Sequence, residues 1–239
     1  LLTWLGLKLC DRIVDKMFML SKLESNKANT LRKLIKSILH YTIYFISLLT
    51  ILAKFGINLG PVLAGAGILG LAIGFGAQSF VKDVITGFFI IFERQLEVGD
   101  VVEINGQIKG TVEEVGLRVT KIREYNQRLH YLPNGTITQV TNYNRDKMRA
   151  IVHINVPYES NLDICNQALE EVCEKMKEKY EEILIEDPEV VGITNIDPNG
   201  VQFTITAVCK PSEFWGLERE MRKQSVITLN RYGIPIAYP

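Results

Sequence analysis

A chain of 239 residues with 27 Lys+Arg and 27 Asp+Glu is long enough to bury a sizeable core, and its neutral balance argues against a binder that offers a uniformly basic face to nucleic acid. Cys10, Cys165, Cys173 and Cys209 lie at no metal-like or redox spacing and are too few for a disulfide scaffold, so they read as small apolar residues in a reducing compartment. The charge is unevenly shared: residues 1–92 hold 10 Lys+Arg against 4 Asp+Glu, the remainder 17 against 23, which implies a membrane module followed by a water-facing one.

The first apolar run, Leu1 to Leu9, is broken by Lys8, Asp11 and Arg12 before a signal-peptide core can form. It reads as the inner end of a helix that begins earlier, and the missing initiator Met fits a chain that starts inside a longer protein. Ser37 to Ala53 carries no formal charge over 17 residues, with Lys36 and Lys54 at its ends and Tyr41 and Tyr44 placed as interfacial anchors. Phe55 to Val81 runs 27 residues without a charge, where a bilayer span needs about 20. Three spans are predicted, the first truncated. The loop between the first two holds Lys16, Lys22, Lys27, Arg32, Lys33 and Lys36 against Asp15 and Glu24, so it is expected on the cytoplasmic side, with the turn at residues 55–58 outside.

Beyond Glu93 the pattern changes to short β-like runs punctuated by Asn105-Gly106 and Asn134-Gly135, both read as hairpin turns. Residues 97–148 are predicted to form a small five-stranded barrel. From Ala150 the order strand, helix (about 161–184), hairpin around Asn199-Gly200, helix (about 212–231) predicts an α+β domain over 149–239. The membrane part is assigned to residues 1–96, with a pore-lining helix over about 58–81 and a cytoplasmic extension over 82–95.

At about 100° per residue, Gly60, Ala64, Gly67, Leu71, Phe75 and Gln78 share one face of the helix following Phe55, and Lys82 joins them if the helix stays straight. Small residues flank that face on both sides, and Ala66, Gly70, Ala72, Gly74 and Gly76 are the packing positions. Each glycine costs about 1 kcal/mol of helix propensity relative to Ala, which is offset only where neighbouring backbones approach closely. Small flanks on two sides predict two like neighbours, hence a ring around a pore. Leu71 and Phe75, one turn apart, would form two apolar rings that block ions by dewetting. The competing account is an ordinary buried transmembrane helix packed within one protomer. Gly65-Ala66-Gly67-Ile68-Leu69-Gly70 also matches a dinucleotide fingerprint, but Pro61 precedes it, the apolar run continues past it and no second βαβ unit follows.

AGAGILGLAIGFGAQSF, FERQLEVGDVVEINGQIKGTVEEVGLRVTKIRE and YLPNGTITQVTNYNR together resemble the small-conductance mechanosensitive channel family over nearly the whole chain. The resemblance implies a multi-pass inner- or plasma-membrane homo-heptamer that opens under membrane tension and passes ions and small osmolytes on hypo-osmotic shock. It implies cytoplasmic domains of Sm-like barrel and ferredoxin-like α+β type. Leu71 and Phe75 match the apolar seal, Gly67, Gly70 and Gly74 the packing positions, and Gly87 a glycine hinge. Ser79 stands where the family has its first hinge glycine, and Phe75 where it often has Leu. The family's C-terminal strand barrel would lie beyond Pro239.

His40, His130 and His153 are scattered with no ligand spacing, and Glu113-Glu114 and the acidic stretch 170–189 read as solvated faces. Neither metal, cofactor nor catalysis is expected. The expected partners are other copies of the chain, membrane lipids and the permeating solutes, not nucleic acid. The alternative function is a solute transporter or a membrane-anchored scaffold, for which inverted repeats or charges near the membrane midplane would be the signature.

Overall fold

The computed structural model describes residues 2–19, 25–198 and 200–235. The chain divides into two compact units, residues 1–77 and 78–239. Leu1, Lys22, Glu24, Asn199 and the final Tyr238-Pro239, all used in the sequence reading, lie outside the described residues.

The first unit is helical. Helix α1 (Leu2–Met19) and helix α2 (Ser25–Lys54) pack as a pair, with Val14 buried between them. Helix α2 stops where Gly56 adopts φ 72°, a left-handed conformation that lets Gly56 and Ile57 donate to the carbonyls of Ala53 and Leu52. Asn58 then caps the next helix, accepting from the Gly60 amide at 2.9 Å, and Pro61 occupies its first turn, where a missing N–H costs nothing. That helix, α3 (Gly60–Phe92), crosses from the first unit into the second.

Two described helices are long and apolar enough to span a bilayer: Ala28–Lys54 and Gly60–Phe92. The expected third is not among them. Helix α1 has 18 residues and carries Lys8, Asp11, Arg12, Asp15 and Lys16, too many charges to pass as a span. Helix α3 also runs unbroken through Ser79, past Val81 and through Gly87, to Phe92.

In the second unit, strands β1 (Val101–Ile104), β2 (Ile108–Val115), β3 (Val119–Glu124), β4 (Leu129–Pro133) and β5 (Val140–Asn142) form one antiparallel sheet in the order β4-β3-β2-β1-β5. Alternation places Val102, Ile104, Val112 and Ile122 inside, where Ile90 of α3 and Leu96 complete the core. Asn105 and Gly106 both take positive φ, 54° and 66°, and close the β1–β2 hairpin as expected. Asn134-Gly135 does not make a hairpin. It begins a 3₁₀ turn (Asn134–Thr136), after which β5 crosses to pair with β1 rather than with β4.

The last part is a three-stranded antiparallel sheet, β6 (Met148–Val156), β7 (Leu184–Asp197) and β8 (Gly200–Cys209), in the order β6-β8-β7, with helices α4 (Leu162–Tyr180) and α5 (Phe214–Arg231) packed on it. Asn161 caps α4, and Cys165, Ala168, Leu169, Val172, Cys173 and Met176 form its buried stripe at helical spacing. Three of the four cysteines, read from sequence as small apolar residues, are core residues here: Cys165, Cys173 and Cys209 are buried. Helix α4 ends four residues earlier than expected and β7 begins at Leu184, six residues before VVGITNI. As an edge strand β7 tolerates Pro188 and four irregularities of register, a licence that a central strand would lack. Tyr143, after β5, stacks on Phe214 at 6.1 Å with Lys109 4.2 Å over its ring, tying the two sheets' neighbourhoods together. Its hydroxyl donates to Glu103, and that bond with burial pushes the phenol up to about 12.

Candidate functional site

Helix α3 has two stretches with different surroundings. Through residue 82 every residue is exposed or half-exposed, including Leu71 at 64 % and Phe75 at 74 %. A Cβ added at Gly65, Gly67, Gly70, Gly74 or Gly76 would meet no atom within 4 Å beyond the helix's own backbone. Because the helix is unbroken, Gly67, Leu71, Phe75, Gln78 and Lys82 do lie along one stripe, with the small residues beside it. An apolar helix of this length bare on all sides is stable only if lipid or other copies cover it.

The second stretch is docked. Asp83, 5 % exposed, accepts from the Gly135 amide at 2.9 Å and from Arg118 at 3.3 Å. One turn on, Gly87 approaches the β2–β3 turn so closely that a Cβ would fall 2.0 Å from the Leu117 carbonyl oxygen and 2.3 Å from Asn134 Nδ2. Asn134 is itself fixed: its Nδ2 donates to the Gly116 carbonyl at 2.9 Å and its Oδ1 accepts from Thr120 at 2.8 Å. Ile90 follows on the same face and enters the β core. Asp83, Gly87 and Ile90 thus make one i, i+4, i+7 seam, and Gly87 is small because a backbone lies against it.

Sequence reasoning missed this joint. It took residues 82–95 as a cytoplasmic extension of the pore helix and Asn134-Gly135 as a hairpin turn, and gave Arg118 and Thr120 no role. The signal was present in the spacing of Asp83, Gly87 and Ile90, a helical stripe whose central residue is a glycine.

The groups set aside are engaged elsewhere. Glu113 pairs with Arg123 at 2.5 Å, which holds its carboxyl below the usual range, and Glu114 pairs with Lys121. His130 meets Glu124 at 3.0 Å, His153 meets Thr204 at 2.8 Å, and His40 meets Asp11 at 3.2 Å.

Comparison with known proteins decides the family. The transmembrane helices 2/3 of the mechanosensitive ion channel match residues 37–78, its beta-domain residues 79–145, and the C-terminal part of the mechanosensitive channel MscS residues 150–236. A small-conductance mechanosensitive channel of Caldanaerobacter subterraneus subsp. tengcongensis is 42 % identical over all of this chain and 86 % of its own length. The chain belongs to the MscS family of mechanosensitive ion channels. Among solved structures, the closed-state MscS of Helicobacter pylori shares the fold at TM-score 0.75 and 20 % identity, covering 99 % of this chain and 91 % of that one. Wild-type MSL1 of Arabidopsis thaliana does so at TM-score 0.71 and 19 % identity, over 100 % and 84 %. The MscS family is one of channels, not enzymes.

Proposed function

We propose that the chain is one subunit of a homo-heptameric channel in the inner or plasma membrane, opened by tension to release ions and small osmolytes on hypo-osmotic shock. The observation that carries the reading is the bare, glycine-flanked stretch of α3. Its small faces fit the flanks of neighbouring copies in a closed ring. Its stripe of Gly67, Leu71, Phe75, Gln78 and Lys82 would then face the pore, with Leu71 and Phe75 as the seal and Lys82 favouring anions at the inner mouth.

Lipid pulling outward on the α1–α2 pair would tilt or rotate α3 and separate the seal rings. Tension favours whichever state occupies more membrane area. Bending of α3 is assigned to Ser79 and Gly87, the latter braced against the β sheet, with the sheet and α+β part on the cytoplasmic side as Sm-like and ferredoxin-like domains. The transporter and scaffold alternatives need α3 packed within its own protomer, whereas five of its glycines have open space around them.

The test is patch-clamp recording of purified protein in plain liposomes under graded suction. Wild type should give discrete conductance steps only above a threshold, and Phe75→Ser or Leu71→Ser should leak at rest by wetting the seal. Silence from an assembled ring, or serine variants with unchanged threshold and no leak, would remove the channel reading or the seal assignment respectively.

A further inference from the structure

Within the second unit, β2, β3 and the start of α5 flank an open groove of about 960 Å³. That lies near the top of the range of roughly 300–1,000 Å³ for small-molecule sites, and is far more than one inorganic ion needs. Its wall carries two aromatic rings: Trp215, half-buried on α5, and Tyr125, wholly exposed between β3 and β4. It also carries three cations, Lys109 of β2, Arg123 of β3 and Arg219 of α5.

The cations differ in what they meet. Arg123 is committed: its Nε donates to Glu113 at 2.5 Å and its Nη1 to the Gln127 carbonyl at 3.1 Å. Lys121 on the same strand pairs with Glu114, and Arg222, about one turn beyond Arg219, pairs with Glu218 at 2.9 Å. Lys109 and Arg219 are both exposed, and neither makes an ion pair among the described residues. The Lys109 ammonium stands instead over two rings, 4.2 Å from the centre of Tyr143 and 5.3 Å from that of Trp215. The rings attract it without cancelling its charge, and they hold it in place, so an anion arriving there costs little side-chain freedom. The acids on the wall are Glu124, which His130 meets at 3.0 Å, and Glu213, exposed beside the start of α5. Two unpaired cations from two elements, one of them set against Trp215, call for a negative group. The rings and the volume call for a flat body attached to it.

We propose that this groove binds a small organic anion in which a negative group is joined to a planar ring, a mononucleotide being the type, with the negative group between Lys109 and Arg219 and the ring against Trp215. Tyr125 closes over the ring from the rim. The binding does not depend on channel function, since every residue involved belongs to the β sheet or to α5. Because Lys109 lies on β2 and Arg219 on α5, the bound anion ties the β sheet to the α+β part and stabilises both against unfolding. Glu213 opposes the anion and limits its affinity.

The experiment titrates the full chain in detergent with ATP, adenosine and tripolyphosphate, in a Trp4→Phe background where Trp215 is the one remaining tryptophan and reports by its fluorescence. ATP should change that fluorescence saturably and raise the denaturation midpoint, with adenosine and tripolyphosphate each binding at least about tenfold more weakly. Arg219→Gln and Lys109→Gln should each weaken ATP about tenfold, and Glu213→Gln should strengthen it about threefold. Lys109→Gln also removes the contact with the Tyr143 and Trp215 rings, so Arg219→Gln, which breaks no ion pair, is the deciding variant; its ligand-free denaturation midpoint should match that of the background protein. No saturable response to ATP, or equal ATP affinity with and without Arg219→Gln, would overturn the proposal. Tripolyphosphate or adenosine binding as tightly as ATP would overturn it too, by removing the part given to the ring or to the negative group.

Discussion

Residues 60–82 and 83–92 are one continuous helix, yet Gly70 and Gly74 in the first stretch have no atom within 4 Å of where a Cβ would lie, whereas Gly87 in the second has a carbonyl oxygen at 2.0 Å. The same residue, carrying the same helix penalty, answers two needs. In the second stretch the partner is the protein's own β2–β3 turn, and the contact is complete within one chain. In the first, the open space is the counterpart of a surface that another molecule must supply. A glycine count cannot separate these cases; the surroundings can.

Substitution by alanine breaks the comparison most sharply. Gly87→Ala must push the Leu117 backbone and the Asn134 amide apart, and the Asn134 amide is already held by Gly116 and Thr120. We expect a loss of roughly 3 kcal/mol, at the upper end for overpacked sites, seen as a lower denaturation midpoint and poor recovery of folded protein. Gly70→Ala and Gly74→Ala meet nothing in the protomer and relieve the helix penalty, so they should leave its denaturation midpoint unchanged or raise it, by up to about 1 kcal/mol, while altering ring assembly or suction threshold. Equal destabilisation at all three positions would show that the two stretches are not distinct.

The same contrast marks how far the sequence could be read. Asn105-Gly106 and Asn134-Gly135 are identical dipeptides between β-like runs, and only the first is a hairpin. Its need is local, since two positive φ angles join adjacent strands. The second is decided by Asp83, 52 residues earlier, which takes the Gly135 amide and needs the glycine there: a Cβ would lie 2.7 Å from Asp83 Oδ1. The last part of α2, residues 37–53, and most of α3 were legible because charge-free length and periodicity are properties of a continuous segment; residues 25–36, read as part of a charged loop, instead form the first turns of α2. That α4 is a helix was legible for the same reason, though its buried stripe was not read. The end of α4 and the start of β7 were not, because an acidic run reads as readily for a helix as for the edge of a sheet. The Leu71 and Phe75 stripe was read from spacing alone, and the unbroken helix preserves that spacing.

Asp83 sharpens the comparison by a smaller amount. Asp83→Ala would leave the buried Gly135 amide without an acceptor, at a cost of about 1–3 kcal/mol. Asp83→Asn can keep an oxygen on that amide and should lose only the contact with Arg118, whose side chain is half exposed. The expected order of denaturation midpoints is wild type, then Asp83→Asn, then Asp83→Ala. If Asn proved as damaging as Ala, the charge on Asp83 rather than the capped amide would be what holds α3 to the sheet.

The smallest effect is expected where a carboxylate does comparable bonding in water. Glu171 of α4 receives Lys175 at 2.7 Å, Arg231 at 2.7 Å and the Tyr232 hydroxyl at 3.1 Å, and these partners, Lys175 first, hold its carboxyl at about 2. A carboxyl depressed on folding adds stability above its ordinary value near 4.5 and loses it as pH falls toward about 2. Melting curves of wild type and Glu171→Gln should therefore differ modestly at pH 7 and converge between about pH 4.5 and about pH 2. Glu220 is also lowered, chiefly by Lys179, and titrates in both proteins, so the difference between the two curves isolates Glu171. Because solvent screens the Glu171 pairs, the gap at pH 7 should shrink in high salt. The loss in Asp83→Ala should not, since an unsatisfied buried amide is indifferent to ionic strength.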